Sequence, residues 1–315
     1  MPATGPTSPS LSRRRLLAAS ATASVAAAAG LVPPPARAAN DWQAAVLPQA
    51  QQRDFTSKIT GQRYRIFISI PQTPAPPSGH PVLFALDGNA TFPTLALMAR
   101  LGGGRSHGSG QAAPVIVGIG YAADQHYSID RGHDYTPPGG KDAPENEGGA
   151  DPFLDFIERE LKPLVAAMAP LDPARQALFG HSYGGLCALY ALFTRPALFQ
   201  TYLAASPSIW YGGRRVLADV PDFMKRAGAL AAKPALMVTV GELEQPAATA
   251  AALQGREAIA AQRRMVDEAR DLAARLREAN VLSRVQFHLL AHENHGSAML
   301  PAMVRGLEFF YAQHQ

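Results

Sequence analysis

Apolar positions along the chain fall into short runs of two kinds. At residues 64–70, Tyr64, Ile66, Ile68 and Ile70 alternate with Arg65, Phe67 and Ser69, the period of a half-buried strand, and the run stops at Pro71. At 82–86, 115–119 and 235–240 the apolar residues are continuous, as in parallel strands covered on both faces. Shorter runs at 177–179 and 201–205 and a last one at 285–290 predict further strands.

Helical spacing separates these runs. It predicts helices over 92–101, over 151–168 with Asp151-Pro152 as the cap, after Gly185, up to Ala227, and from the loop at 291–297 to Tyr311. Residues 256–279 predict one long amphipathic helix, with Ile259, Val266, Ala269, Leu272, Ala273 and Leu276 inward. Its charges, Arg263, Arg264, Asp267, Glu268, Arg270 and Arg275, predict a solvated face and no binding patch. Strands alternating with helices predict an α/β architecture, a mostly parallel sheet with helices on both faces. Residues 40–55 give mixed signals and predict an extended arm. Residues 121–150 show no period at all, and so long a loop inside a compact domain usually carries function.

The N-terminus departs from this pattern. Ser12-Arg13-Arg14-Arg15-Leu16-Leu17 opens an Ala-rich stretch that ends at Ala36-Arg37-Ala38, a small-x-small cleavage pattern, which predicts a twin-arginine signal over residues 1–38, read by the export machinery and removed. Ser20, Thr22, Ser24, Gly30 and the prolines at 33–35 make the stretch too weakly apolar for a stable anchor. The remainder, 39–315, reads as a single domain in the periplasm or outside the cell. The signal holds four of the 29 basic residues and no acid, so the remainder carries 25 of each sign. The apparent basicity belongs to the signal, and charge points to no nucleic acid and no membrane surface. A single cysteine, Cys187, excludes an internal disulfide.

The chemistry concentrates at residues 180–185, Gly-His-Ser-Tyr-Gly-Gly. A G-x-S-x-G match alone recurs by chance in about one chain in ten of this length. Here an apolar strand precedes it and a small-residue helix follows it, the setting of a nucleophile elbow. A serine hydroxyl needs a base and a group to orient that base. Ser182, Glu244 and His295 follow successive strands in the order nucleophile, acid, base, and strand ends of a parallel sheet form one crevice. His292, His133 and His181 compete with His295, and Glu242 competes with Glu244; a Ser-His dyad without an acid is a further alternative. For the oxyanion hole, the expected donors are the backbone N–H groups of Tyr183 and Asn89. The glycine-rich residues 102–110, with Arg105 and His107, read as a loop, since no P-loop lysine accompanies the glycines. His292-x-x-His295 lacks metal-site spacing, so no metal and no cofactor are expected.

These residues together resemble the esterase D-like branch of the α/β-hydrolases, and within it the periplasmic esterases that open the trilactones of ferric enterobactin and salmochelin. The likeness covers nearly all of 39–315. It rests on Leu86-Asp87-Gly88-Asn89-Ala90, on Arg131 with Asp134-Tyr135-Thr136-Pro137, on Gly148-Gly149-Ala150-Asp151, on the elbow, on Ala205-Ser206-Pro207-Ser208 and on His295-Gly296. It implies an α/β-hydrolase fold and a serine esterase acting on a catecholate siderophore, the iron belonging to the substrate. Under that resemblance Arg131 meets catecholate oxygens, or else pairs internally with Asp130 or Asp134, and Trp210 or Tyr211 stacks on an aromatic arm. A general carboxylesterase for feruloyl, acetyl or acyl-thiol esters, and a non-catalytic siderophore-binding protein, are the competing readings.

Overall fold

Continuous apolar strands can only sit in the middle of a sheet, and they do. The computed structural model describes residues 44–103, 112–246 and 254–312. Residues 1–38, expected to be an export signal, and most of the glycine-rich stretch 102–110 lie outside the described residues. Val46–Gln315 forms one compact unit.

The chain runs β1 (Ala50–Thr56), β2 (Arg63–Ser69), β3 (His80–Leu86), α1 (Gly88–Gly103), β4 (Val115–Tyr121), α2 (Arg131–Tyr135) and α3 (Ala150–Phe156). A π-helical turn, Ile157–Leu161, joins α3 to α4 (Lys162–Ala166). Then come β5 (Leu171–His181), α5 (Tyr183–Thr194), β6 (Thr201–Ala205), α6 (Tyr211–Arg214), a 3-10 turn and α7 (Val220–Ala227). The last third holds β7 (Ala235–Gly241), the 3-10 turn Glu242–Glu244, α8 (Gly255–Arg263), α9 (Met265–Glu278), β8 (Arg284–Leu290) and α10 (Met299–Tyr311). The strands form one eight-stranded sheet in the order β1-β2-β4-β3-β5-β6-β7-β8. β1 and β2 are antiparallel to their neighbours, and every pair from β4 to β8 is parallel.

Because successive strand residues point to opposite faces, each apolar run feeds two cores. Phe84, Val117, Leu178, Tyr202 and Val238 face one, filled by α3, α5, α7 and α9. Leu83, Ile116, Phe179, Leu203 and Met237 face the other, covered by α1 and α10. Among the described residues no helix is long and apolar enough to cross a membrane.

Four expectations change. Residues 50–56 are no arm but the edge strand β1, which hid because Gln51, Gln52 and Arg53 face solvent, as edge strands do. The loop 121–150 contains the helical turn α2. The cap of α3 is Gly149, while the Asp151 carboxylate accepts a bond from the Tyr190 hydroxyl at 3.0 Å. The long helix at 256–279 is two helices, broken at Arg264, which stands in the left-handed region at φ 49°. Val266 to Leu276 of α9 are buried as the stripe predicts, but α8 buries no residue and Ile259 is exposed.

Candidate active site

The elbow is built by close backbone approach. Ser182 stands between β5 and α5 at φ 61°, ψ −117°, a region that costs a residue with a Cβ roughly 1–3 kcal/mol. Three backbone bonds hold it there: Ser182 N–H to Ala205 O at 3.0 Å, and Ser182 O accepting from Leu186 and Ser208 N–H at 3.0 and 3.2 Å. Gly180 is obligatory, because a Cβ there would meet the Gly184 carbonyl oxygen at 2.1 Å.

Parallel strands β5, β6, β7 and β8 end side by side, so the turns that follow them converge. His295, in the loop after β8, places Nε2 2.9 Å from Ser182 Oγ and Nδ1 2.6 Å from Glu244 Oε2. Glu244 is nearly sealed, its side chain 1 % exposed against 48 % for His295. Burial would raise its pKa, but the bonds from His295, from Ser206 Oγ at 2.6 Å and from Gly241 N–H at 2.7 Å outweigh that and hold it below the ordinary range. Gly241 also lets the two loops touch, since a Cβ there would lie 2.4 Å from the Glu293 carbonyl oxygen. The competing pair lies elsewhere. Glu242 accepts from the His292 backbone N–H at 2.9 Å, and the His292 ring is almost wholly exposed.

His181 packs beneath this group. Its Nε2 lies 2.8 Å from the His295 carbonyl oxygen, which only accepts, so Nε2 carries a proton. Burial first, and then the neighbouring His295, push its pKa down to about 4. At neutral pH it is an uncharged strut under the His295 loop. His133 is distant from this group and bonds Asp134, whose buried carboxylate also accepts from Tyr64 and Tyr121.

Arg131 is ion-paired, and its partner is neither Asp130 nor Asp134. Its Nε and Nη2 fork onto Asp87 at 2.7 and 2.9 Å, across a separation in sequence that no local pattern reveals. Asp87 is buried, and burial raises its pKa against the pull of Arg131. The Asn89 side chain is fully used by the end of β4: Nδ2 donates to Tyr121 and Ala123 carbonyls, and Oδ1 accepts from Tyr121 N–H. The oxyanion expectation concerns its backbone N–H, at the start of α1, and that of Tyr183, at the start of α5; Tyr183 lines a cavity over Ser182. The two turns are in contact, since Gly184 lies against Leu86 and Asp87.

A cavity of about 800 Å³ opens over Ser182 and His295. Tyr183, Ser208, Trp210, Leu243 and Asn294 line it, and Arg131 contributes to its wall. Tyr211 does not reach it; its ring is buried edge-on against Tyr183. Arg256, Ile259, Ala260 and Arg263 of α8 complete the lining. Of the charge run expected to be a solvated face, Arg263 also borders this cavity, while Arg264, Arg270 and Arg275 are exposed as expected. Charge and period look alike whether a helix faces bulk water or a water-filled cavity. Ser206 stands in the resemblance motif Ala205-Ser206-Pro207-Ser208, but its role as the anchor of the acid is not legible in the sequence.

The fold and these comparisons define the protein's class. The family model described as "Putative esterase" matches residues 57–286, and the chain belongs to that family, with the α/β-hydrolase fold of a carboxylic-ester hydrolase. Ferri-bacillibactin esterase BesA of Bacillus subtilis (strain 168) is 36% identical over 280 residues, covering 84% of this chain and 91% of the relative. Siderophore triacetylfusarinine C esterase of Aspergillus fumigatus is 37% identical over 278 residues, covering 84% and 94%. Among solved structures, the BES protein from Bacillus cereus superposes with a TM-score of 0.76 at 34% identity, covering 86% of this chain and 97% of that one. The relatives are siderophore esterases, and the chain is related to them.

Proposed function

We propose that this chain is a serine esterase that hydrolyses the ester bonds of a catecholate siderophore trilactone, of the ferric enterobactin or salmochelin type, and so loosens its grip on iron. The observation that carries the reading is His295 bridging Ser182 at 2.9 Å and Glu244 at 2.6 Å. Ser182 Oγ attacks the ester carbonyl while His295 Nε2 takes its proton, and Glu244 holds the ring with Nδ1 protonated. The negative oxygen of the tetrahedral intermediate accepts bonds from the backbone N–H groups of Tyr183 and Asn89. Collapse expels the alkoxide, which takes the proton back from His295. Water, deprotonated by the same nitrogen, then frees the acyl group from Ser182.

In this reading Trp210 stacks on a substrate ring at the cavity wall. Arg131 faces the same cavity with its charge largely offset by Asp87, and holds the Asp87 turn, and with it the Asn89 N–H, against the elbow. The chain needs no cofactor of its own. The run Arg13-Arg14-Arg15 near the N-terminus supports export by the twin-arginine route to the periplasm, where a ferric siderophore is met.

Chromatography of ferric enterobactin, ferric salmochelin and a simple aryl ester after incubation with wild type and Ser182→Ala tests the reading. Linear product from the wild type alone is expected. Intact siderophore beside fast aryl-ester turnover would replace the substrate with a general carboxylic ester, and equal activity from the variant would remove the mechanism.

A further inference from the structure

The charges that line the triad cavity are unevenly balanced. Arg131 is paired with Asp87, and the Glu244 charge is sealed behind His295, where hydrogen bonds stabilise it. Arg256 and Arg263 have no carboxylate within ion-pair distance among the described residues, although their neighbours in sequence and space are paired: Arg264 with Asp267, Arg214 with Glu268. Both line the cavity from α8, which contributes no buried side chain. The fold does not need them where they are.

Arg263 is also held in place. Its guanidinium carbon lies 4.0 Å from the centre of the Trp210 ring, a stacked cation–π contact. Stacking occupies one face of the guanidinium and leaves its edge N–H groups free to fork onto paired anionic oxygens. The Trp210 and Arg263 pair, with Ile259, also borders a second cavity of about 380 Å³ whose lining includes Lys141 and Asp142. Space on both sides of the pair suits a ligand with several bulky arms.

We propose that Arg256 and Arg263, with Trp210, form a charge-selective subsite that takes anionic ferric tris-catecholates and discriminates against neutral ferric tris-hydroxamates. Three catecholate dianions around ferric iron make a trianion with paired oxygens on its surface, whereas three hydroxamates make a neutral complex of similar girth. The subsite is the specificity determinant of the proposed esterase and rests on that reading, but it makes its own prediction about binding alone.

The experiment therefore uses ligands with no ester. The ferric complex of an N-alkyl 2,3-dihydroxybenzamide and ferric acetohydroxamate are each tested as inhibitors of aryl-ester hydrolysis by the full chain. The catecholate complex is expected to inhibit competitively and at least about tenfold more tightly than the neutral one, from charge-assisted bonds to two cations. Raising the salt from about 50 mM to 500 mM is expected to weaken it several-fold while leaving the neutral complex unmoved. Both comparisons use the wild type. In R256Q/R263Q, with its melting temperature compared as a check on folding, the catecholate preference is expected to fall about tenfold. Equal inhibition by the two complexes, or a preference that survives the double substitution in a folded protein, overturns the subsite. Loss of siderophore hydrolysis with the charge preference intact would instead overturn the substrate reading and keep the subsite.

Discussion

Replacing Glu244 by glutamine changes one atom and should nearly silence the enzyme, because the surroundings dictate how the amide must sit. Oε1 accepts two bonds, from Ser206 Oγ at 2.6 Å and from the Gly241 N–H at 2.7 Å. The backbone N–H cannot become an acceptor, so the glutamine oxygen is pinned on that side. Its NH₂ group is then left facing His295 Nδ1, where Oε2 now stands at 2.6 Å. Nδ1 must accept, the ring proton moves to Nε2, and Nε2 can no longer take the proton of Ser182. Holding the wrong tautomer in a triad costs about 10³ to 10⁴ in kcat, or roughly 4–5.5 kcal/mol of barrier. The assay is steady-state and pre-steady-state hydrolysis of an aryl ester, with Glu242→Gln as the comparison, expected within about twofold of wild type because it touches only the exposed His292 loop. If Glu244→Gln keeps more than about a tenth of the wild-type kcat, the tautomer argument fails and a Ser-His dyad describes the site better.

Ser182→Gly should abolish turnover yet raise the melting temperature by about 2 °C, since glycine relieves roughly 1 kcal/mol of backbone strain at φ 61°; a lowered melting temperature would argue against strain at the elbow. Arg131→Met strands the buried Asp87 carboxylate and should cost about 3–5 kcal/mol in urea unfolding, with Asp87→Asn/Arg131→Met recovering most of it; additive losses would refute the pairing. His181 has a folded pKa of about 4 against an ordinary 6.5, so the unfolded chain binds the extra proton between those values. The neutral form's contribution is complete above about pH 6.5 and is lost as pH falls toward 4, by up to roughly 3 kcal/mol. His181→Asn should therefore lose less stability than wild type between pH 7 and pH 5 in urea titrations; parallel losses would contradict this.

Local pattern was enough wherever one element explained itself. The runs at 82–86 and 235–240 read as buried strands because their neighbours on both faces are helices, and the elbow read as such because strand, serine and helix are contiguous. The order of Ser182, Glu244 and His295 was legible because strand ends of a parallel sheet converge whatever their spacing in sequence. What failed depends on contacts between distant segments. Nothing near Arg131 announces Asp87 as its partner, and nothing near Ser206 announces that it anchors Glu244. The break at Arg264 was hidden because an arginine has no special preference for the left-handed region; α8 kept the helical period of α9 while turning to the cavity and not to the core.

That break has an evolutionary side. Substitutions on a helix that buries nothing cost the folded state little, usually within about 0.5 kcal/mol, whereas Gly180 and Gly241 admit no side chain without moving backbone. Substrate preference and fold are thus written on separate pieces of chain. A lineage can rewrite α8 to meet a new siderophore while the hydrolytic machinery beneath it stays untouched, and an engineer can exchange α8 as a cassette for the same reason.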